Sequence, residues 1–179
     1  NQIFKFSLPL LYASLWGILL SSADQFFISR YFGNEVFAEF SNGSMELPFV
    51  GMIVGACATV LSPIFSRMSN ENLNPQKEIL PLWKSTFEKS AKLIYPLVIY
   101  CIVFADIIMI VLYGEQYENS ATYFRIKSSV DFFKVIVYAP LIINIGKVKY
   151  YSNVHMYGAI ILIVLEYLSV ITIHNPYAI

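Results

Sequence analysis

Long apolar blocks limit what this chain can fold into more than any other feature of the sequence. A membrane-spanning helix needs about 20 mostly apolar residues, and five windows qualify: 7–29, 45–65, 91–113, 123–145 and 154–173. Only 13% of the 179 residues are charged, whereas soluble domains carry about 25%. Because a membrane barrel is built from short alternating segments, the sequence predicts an all-α integral membrane helical bundle. We expect a single membrane domain over residues 1–179, with about five transmembrane helices.

The links between these blocks alternate in charge. Eight of the twelve cations lie in the N-terminal segment and in or at the edge of the second and fourth links, whereas the first and third links and their edges carry one arginine and five glutamates. Lys and Arg are enriched in cytoplasmic loops, so we expect the N-terminus and the second and fourth links to be cytoplasmic. Apolar residues at helical spacing, with cations between them, predict a helix lying at the cytoplasmic interface over residues 75–90.

Ionisable side chains within the predicted spans are candidates for a functional site, because a charge in hydrocarbon must face protein or water. On the fourth span, Lys127, Asp131, Lys134 and Tyr138 fall at positions i, i+4, i+7 and i+11. This spacing puts them on one face of a helix. Such a polar stripe suits a hydrated pathway, but a salt-bridge ladder that only holds the bundle together would show the same spacing. Both interpretations stay open.

Acidic residues occur in three other spans. Asp24 and Asp106 lie in the same half of the bilayer as Arg125 and Lys127, so we expect pairing between these acids and cations. Glu166 is the most isolated acid. It fits a proton or cation site, because burial favours the neutral carboxyl group, and it fits equally well a hydrogen-bonded packing residue.

Several predicted spans contain prolines or glycines, which bend helices or let them pack closely. Prolines such as Pro63 and Pro96 predict bends, and Gly51 and Gly55 form a GxxxG that permits close helix packing. Bent helices, small-residue seams and buried charges suit a transporter that alternates between two states.

Several function classes find no support in the sequence. Twelve Lys and Arg balance twelve Asp and Glu, so nothing indicates a nucleic-acid partner. Cys57 and Cys101 lie in apolar blocks without metal-ligand spacing. The sequence contains neither a phosphate-binding loop nor a nucleophile–base constellation. We therefore expect no cofactor, no metal and no enzymatic activity.

A series of motifs resembles the polysaccharide repeat-unit flippases (O-antigen and capsule type) of the multidrug/oligosaccharidyl-lipid/polysaccharide exporter superfamily. The entry "KFSLPLLY" leads to an acid near the end of the first span, and "LYGEQYENS" and "GKVK" follow later. The individual residues that match the family pattern are Asp24, Gly33, Ala38, Phe40, Ser41, Gly43, Pro48 and Pro63.

The resemblance implies a transporter with two similar lobes, of which this chain looks like most of the C-terminal one. The chain would then be a fragment that works with a missing N-terminal lobe. The implied substrate is an undecaprenyl-pyrophosphate-linked oligosaccharide, flipped across the bacterial inner membrane. Membrane lipid and a repeat-unit polymerase are further expected partners.

The resemblance also suggests roles for the charged residues of the spans. The side chains implied to contact the lipid headgroup or the sugar are Arg125, Lys127, Lys134 and Tyr138. Those implied to position these cations, or to carry a coupling ion, are Asp24, Asp106, Asp131 and Glu166.

Other functions remain open at this point. A cation-coupled multidrug exporter of the same superfamily is the nearest, and a flippase for lipid-linked peptidoglycan precursors is another. A membrane enzyme, a non-transporting membrane scaffold and a degenerate fragment belong to different classes.

Overall fold

The computed structural model describes residues 2–71 and 74–179, apart from the side chains of residues 2, 3, 5, 6, 75 and 76. Within this range the regular structure is entirely helical, which confirms the all-α prediction. A π-helical turn covers Pro75–Ile79, and 3₁₀ turns cover Glu115–Tyr117 and Pro176–Ala178. The α-helices are α1 (Gln2–Tyr31), α2 (Gly33–Gly43), α3 (Pro48–Asn70), α4 (Leu80–Val103), α5 (Ala105–Tyr113), α6 (Ser120–Lys134), α7 (Ala139–Asn144) and α8 (Val148–Thr172).

Two glycines from the recognised motifs lie at helix boundaries. Gly33, between α1 and α2, has φ of 86°, and Gly114, which follows α5, has φ of 93°. Residues with a Cβ rarely adopt this backbone conformation, whereas glycine adopts it freely. The structure therefore gives a conformational reason for the glycine in each motif.

The chain divides into two compact units. Unit 1 consists of residues Asn1–Ser41 and Lys147–Ile179, and unit 2 consists of Asn42–Gly146. In unit 1, α1 packs along α8. The alanines Ala13, Ala23 and Ala159 are buried, and small side chains at such positions let two helices approach closely.

Unit 2 has its main apolar core between α3, α4, α5 and α6. Ile94, Val98, Met109 and Phe124 are fully buried there. A second cluster contains Leu61, Phe65, Ile79 and Val137 and joins α3 to the π-helical turn and to the segment before α7.

Large apolar side chains also cover much of the outer surface of both units. On α1 they include Leu11, Leu15 and Ile18, and on α8 they include Ile161 and Leu165, all at least half exposed. Exposed apolar patches of this extent are unusual on soluble monomers, but in a bilayer they contact acyl chains. The protein is a membrane protein.

The helices agree with the predicted spans to different degrees. Among the described residues, α3 and α8 are each long and apolar enough to cross a membrane, and α4 with α5 would make a third span. The predicted windows 45–65 and 154–173 largely coincide with α3 and α8, and 7–29 lies within α1. The total of five spans stays a prediction.

The third predicted window, 91–113, does not form one separate helix as expected. The predicted interfacial helix over residues 75–90 does not end before a separate span, because α4 runs unbroken from Leu80 to Val103. The break comes at Phe104 instead, where α4 and α5 meet at a bend of 73°. Ser90 and Ala91 are buried in the middle of α4, so packing continues across the position where the sequence suggested a boundary.

The fourth predicted window, 123–145, is not one continuous helix. Helix α6 ends at Lys134 and α7 begins at Ala139. Pro140 lacks the N–H that would continue the helix, and its ring clashes with the carbonyl four residues earlier. Between the two helices, the Nε1–H of Trp83 donates a hydrogen bond to the Val137 carbonyl oxygen at 3.0 Å.

Candidate functional site

Unit 2 contains a charge cluster at the C-terminal end of α6. The ammonium group of Lys134 lies 3.0 Å from Asp131 Oδ1 and 3.0 Å from Glu46 Oε1. Asp131 is only 2% exposed, while Lys134 is half-buried and Glu46 is largely exposed. Lys134 thus links a buried acid to an acid near the surface.

Glu46 is a member of this cluster that the sequence did not indicate. It lies in the link before α3, 88 residues from its partner Lys134. The hydrogen bond from Lys134, and then the charge of Lys134, lower the pKa of the Glu46 carboxyl group, against a smaller effect of burial. A pairing over this sequence distance has no local signal, so only the fold reveals it.

Lys127 lies one turn before Asp131 on the same helix and is half-buried. Its charge acts weakly on Glu46, yet within the described part of the chain it forms no ion pair. Lys127 is therefore a cation in a partly desolvated position without a carboxylate partner of its own.

Arg125 braces the bend between α4 and α5. Its guanidinium group forms an ion pair with Asp106 in the first turn of α5. Its Nε–H also donates to the Ile102 carbonyl oxygen at 3.4 Å, just before the break. Of the acid–cation pairings expected from the sequence, the structure thus brings together Asp106 and Arg125.

The predicted stripe on the fourth span is shorter than expected. Lys127, Asp131 and Lys134 share α6, but Tyr138 lies after the helix end and is 49% exposed. The placement of Tyr138 on the same helical face was wrong, because that spacing argument required an unbroken helix.

The other two predicted acids both lie in unit 1. Glu166 on α8 is 3% exposed, and Asp24 lies on α1, which packs along α8. Asp24 was expected to pair with Lys127 or Arg125, which lie in unit 2, and that pairing stays a prediction; within unit 1 the charge of Asp24 acts on Glu166.

Two clefts lie away from these charges. One in unit 1, of about 450 Å³, is lined by Ser22, Gln25, Phe26, Ser29, Arg30 and Phe37. Another in unit 2, of about 370 Å³, lies between α3 and α7, where Asn144 donates a hydrogen bond to Ser62 Oγ at 2.9 Å. No predicted site residue lines either cleft, and the sequence analysis singled out neither.

The sequence matches the model of a known protein family. Residues 1–122 match the model of a family described as polysaccharide biosynthesis protein. The chain belongs to this polysaccharide biosynthesis family. The resemblance to polysaccharide flippases is thereby confirmed at the level of the family. No curated protein and no solved structure matches the chain significantly.

The family match covers α1 to α5 and the first residues of α6. It therefore includes Asp24, Gly43 and Asp106. The cations of α6 and Glu166 lie beyond it, so their roles must be argued from the geometry of this chain.

Proposed function

We propose that this chain is part of a flippase that moves a polyprenyl-pyrophosphate-linked oligosaccharide from the inner to the outer leaflet of the bacterial inner membrane. Two findings support the proposal. The chain belongs to a polysaccharide biosynthesis family, and it carries a charge cluster within an otherwise apolar helical unit.

The chemistry of such a substrate requires polar groups at membrane depth. A pyrophosphate and a sugar chain lose their hydration in hydrocarbon at a high free-energy cost, whereas the polyprenyl tail can stay among the acyl chains. Lys and Arg are the side chains that meet phosphate oxygens with charge-assisted hydrogen bonds. The protein's contribution is to offer these donors along a route that lipid does not fill.

The observation that carries the proposal is the unpaired state of Lys127. Arg125 and Lys134 already contact carboxylates, whereas Lys127 contacts none within the described part of the chain. An anionic headgroup would meet Lys127 first. Arg125 and Lys134 would contact it by exchanging their carboxylate partners, and the exposed Tyr138 hydroxyl group would serve the sugar.

The same proposal implies an orientation in the membrane and two partners for the chain. The N-terminus of the chain would lie in the cytoplasm, as the distribution of cations among the links indicates. An N-terminal lobe would complete the route, and a repeat-unit polymerase would receive the product at the outer leaflet. The role is transport, without an enzymatic step.

Complementation tests this function. The full-length protein that contains this chain is expressed in a host that lacks its own flippase, and surface polysaccharide is measured. We expect export to be restored by the wild type and strongly reduced by Lys127→Ala. Lys84→Ala is the matched control, because Lys84 is an exposed cation of the same unit whose pairing with Glu88 lies at the surface.

The result that would contradict the assignment is normal export by Lys127→Ala at wild-type protein levels. Failure of the wild type itself, with the protein present in the membrane, would contradict the flippase function.

A cation-coupled multidrug exporter is the second candidate. The two acids of the α1–α8 pair, Asp24 and Glu166, favour it. Acid sites without basic partners suit the binding of a coupling cation or an amphipathic cationic drug. A strain that expresses the full-length protein would then gain resistance to cationic drugs without regaining surface polysaccharide.

A further inference from the structure

Two carboxyl groups lie at the same level of the α1–α8 helix pair, because Tyr12 lines a cleft with Ser152 on one side of them and Phe32 packs against His174 on the other. Glu166 is 3% exposed, and both of its carboxylate oxygens lack a hydrogen-bond partner among the described residues. Asp24 Oδ1 is likewise buried and unpartnered. The charge of Asp24 acts directly on Glu166.

Among the described side chains, no cation is one of the groups whose charge acts on Glu166. The chargeable side chains described on the elements packed against α8 in unit 1 are Tyr12, Asp24, Arg30 and Tyr31 on α1 and Tyr177 in the C-terminal 3₁₀ turn. Of these, Asp24 is the one whose charge acts on Glu166. Arg30 is exposed, nearly two turns further along α1.

Two ionised carboxylates are a costly arrangement in such a place. A buried charge without a partner is strongly unfavourable, and two like charges that share an apolar site cannot both ionise cheaply. One proton between them removes one charge and supplies an O–H donor for a remaining carboxylate oxygen, which is how paired acids share a site in aspartic proteases.

We propose that Asp24 and Glu166 together form a proton-binding site, holding one proton between the two carboxyl groups. A proton fits better than a metal ion, because the described residues contain no group of three or more His, Cys, Asp or Glu that would hold one. Two carboxylates alone would leave most of a metal ion's coordination unfilled.

The site gives the helix pair two states. When the proton leaves to water, two negative charges remain between α1 and α8, and hydration or separation of the helices becomes favourable. When a proton returns from water, the neutral closed packing is restored. That this cycle drives transport rests on the proposed function; the binding of the proton does not.

Infrared difference spectroscopy tests proton binding on the purified full-length protein in lipid nanodiscs. A protonated carboxyl group gives a carbonyl band that an ionised carboxylate lacks. We expect such a band in the wild type at neutral pH, its loss in Glu166→Gln, and a changed pH dependence in Asp24→Asn. Glu35→Gln is the matched control, because Glu35 is an exposed acid of the same unit, and it should leave the band unchanged.

Size-exclusion chromatography of each variant separates loss of the site from loss of the fold. A wild-type protein without the band, or a folded Glu166→Gln variant that keeps it, would overturn the proposal. So would loss of the band on adding sodium at constant pH, since the site would then bind a metal ion. The band is measured without any lipid-linked substrate, so a wild type that shows it but fails complementation contradicts only the proposed function.

Discussion

Lys134 holds the buried carboxylate of Asp131, one turn earlier on α6, at an Nζ–Oδ1 distance of 3.0 Å. The same ammonium group reaches Glu46 in the link before α3. Lys134 thus has the contacts that a salt-bridge ladder requires, while its place on a hydrated pathway stays a proposal.

Lys134→Ala should destabilise the protein, because it leaves Asp131 buried without its cation. Leaving a buried polar group without its partner costs on the order of 1–3 kcal/mol, and a charged group costs more. We expect a loss of at least this size in the free energy of unfolding, measured by denaturant titration in detergent. Lys127→Ala is the matched control and should change this free energy little, since Lys127 has no ion pair in the described part of the chain.

The double variant Asp131→Asn/Lys134→Ala tests whether the stability lost in Lys134→Ala is due to the unpaired charge of Asp131. Removing both charges should recover much of the stability lost in Lys134→Ala. Equal stability of Lys134→Ala and the wild type would contradict the buried pairing.

Arg125→Gln should loosen the bend at Phe104. The variant loses the ion pair with Asp106 and weakens the contact to the Ile102 carbonyl oxygen. Hydrogen exchange measured by mass spectrometry should therefore become faster in the peptides that cover residues 102–108. The Arg67→Gln variant is the control, since Arg67 forms an exposed pair on α3, and unchanged exchange in Arg125→Gln would show that the bend does not depend on this side chain.

Gly43→Ala should disrupt the close contact within unit 2 between Gly43 and the first residues of α6. A Cβ at Gly43 would overlap the Ser120 carbonyl oxygen and lie 2.6 Å from Tyr123 Cβ. Overpacking of this kind costs about 1–3 kcal/mol, so the yield of folded protein and the midpoint of thermal unfolding should both fall. Gly51→Ala is the control, because its Cβ would meet nothing within 4 Å; equal effects of the two changes would contradict this explanation.

Acidification should weaken the contact between Glu46 and Lys134. The folded-state pKa of Glu46 is lowered below 4.5 by the hydrogen bond from Lys134, so the contact stabilises the fold above the unfolded pKa. That stabilisation is lost as the pH falls through the folded pKa. The effect should not exceed about 1 kcal/mol, because the Glu46 side chain is largely exposed and solvent screens its charge.

Thermal unfolding midpoints of the wild type and Glu46→Gln, measured from neutral pH to below 4.5, provide the measurement. The difference between the two proteins should shrink at the acidic end, while Glu118→Gln should follow the wild type throughout. A difference independent of pH would contradict the assigned contact.

The helical class and the apolar blocks could be read from the sequence because membrane helices require long uninterrupted apolar runs. The breaks were harder to predict. The bend at Phe104 has no proline or glycine at the break, and Arg125, a residue of another helix, contacts the chain on both sides of it. Pro140 has a larger effect than a bend, since the predicted fourth span is divided into two helices just before it.

The sequence indicated which residues could belong to the candidate site, but not which of them contact one another. Burial of Asp131 and Glu166 agrees with the expectation that acids within apolar blocks face protein. Their partners depend on which helices pack together, and helix pairing leaves no local pattern. Hence the sequence did not indicate Glu46 as the partner of Lys134, nor Glu166 as the acid on which the charge of Asp24 acts.

The most direct test of the account is a leaflet-specific transport assay. The full-length protein is reconstituted into liposomes that carry a lipid-linked oligosaccharide in the inner leaflet, and a lectin outside reports the sugars that arrive. We predict protein-dependent appearance of sugar on the outside, strongly slowed by Lys127→Ala and unaffected by Lys84→Ala. No appearance of sugar with correctly folded wild-type protein, or equal rates for Lys127→Ala and the wild type, would contradict the account.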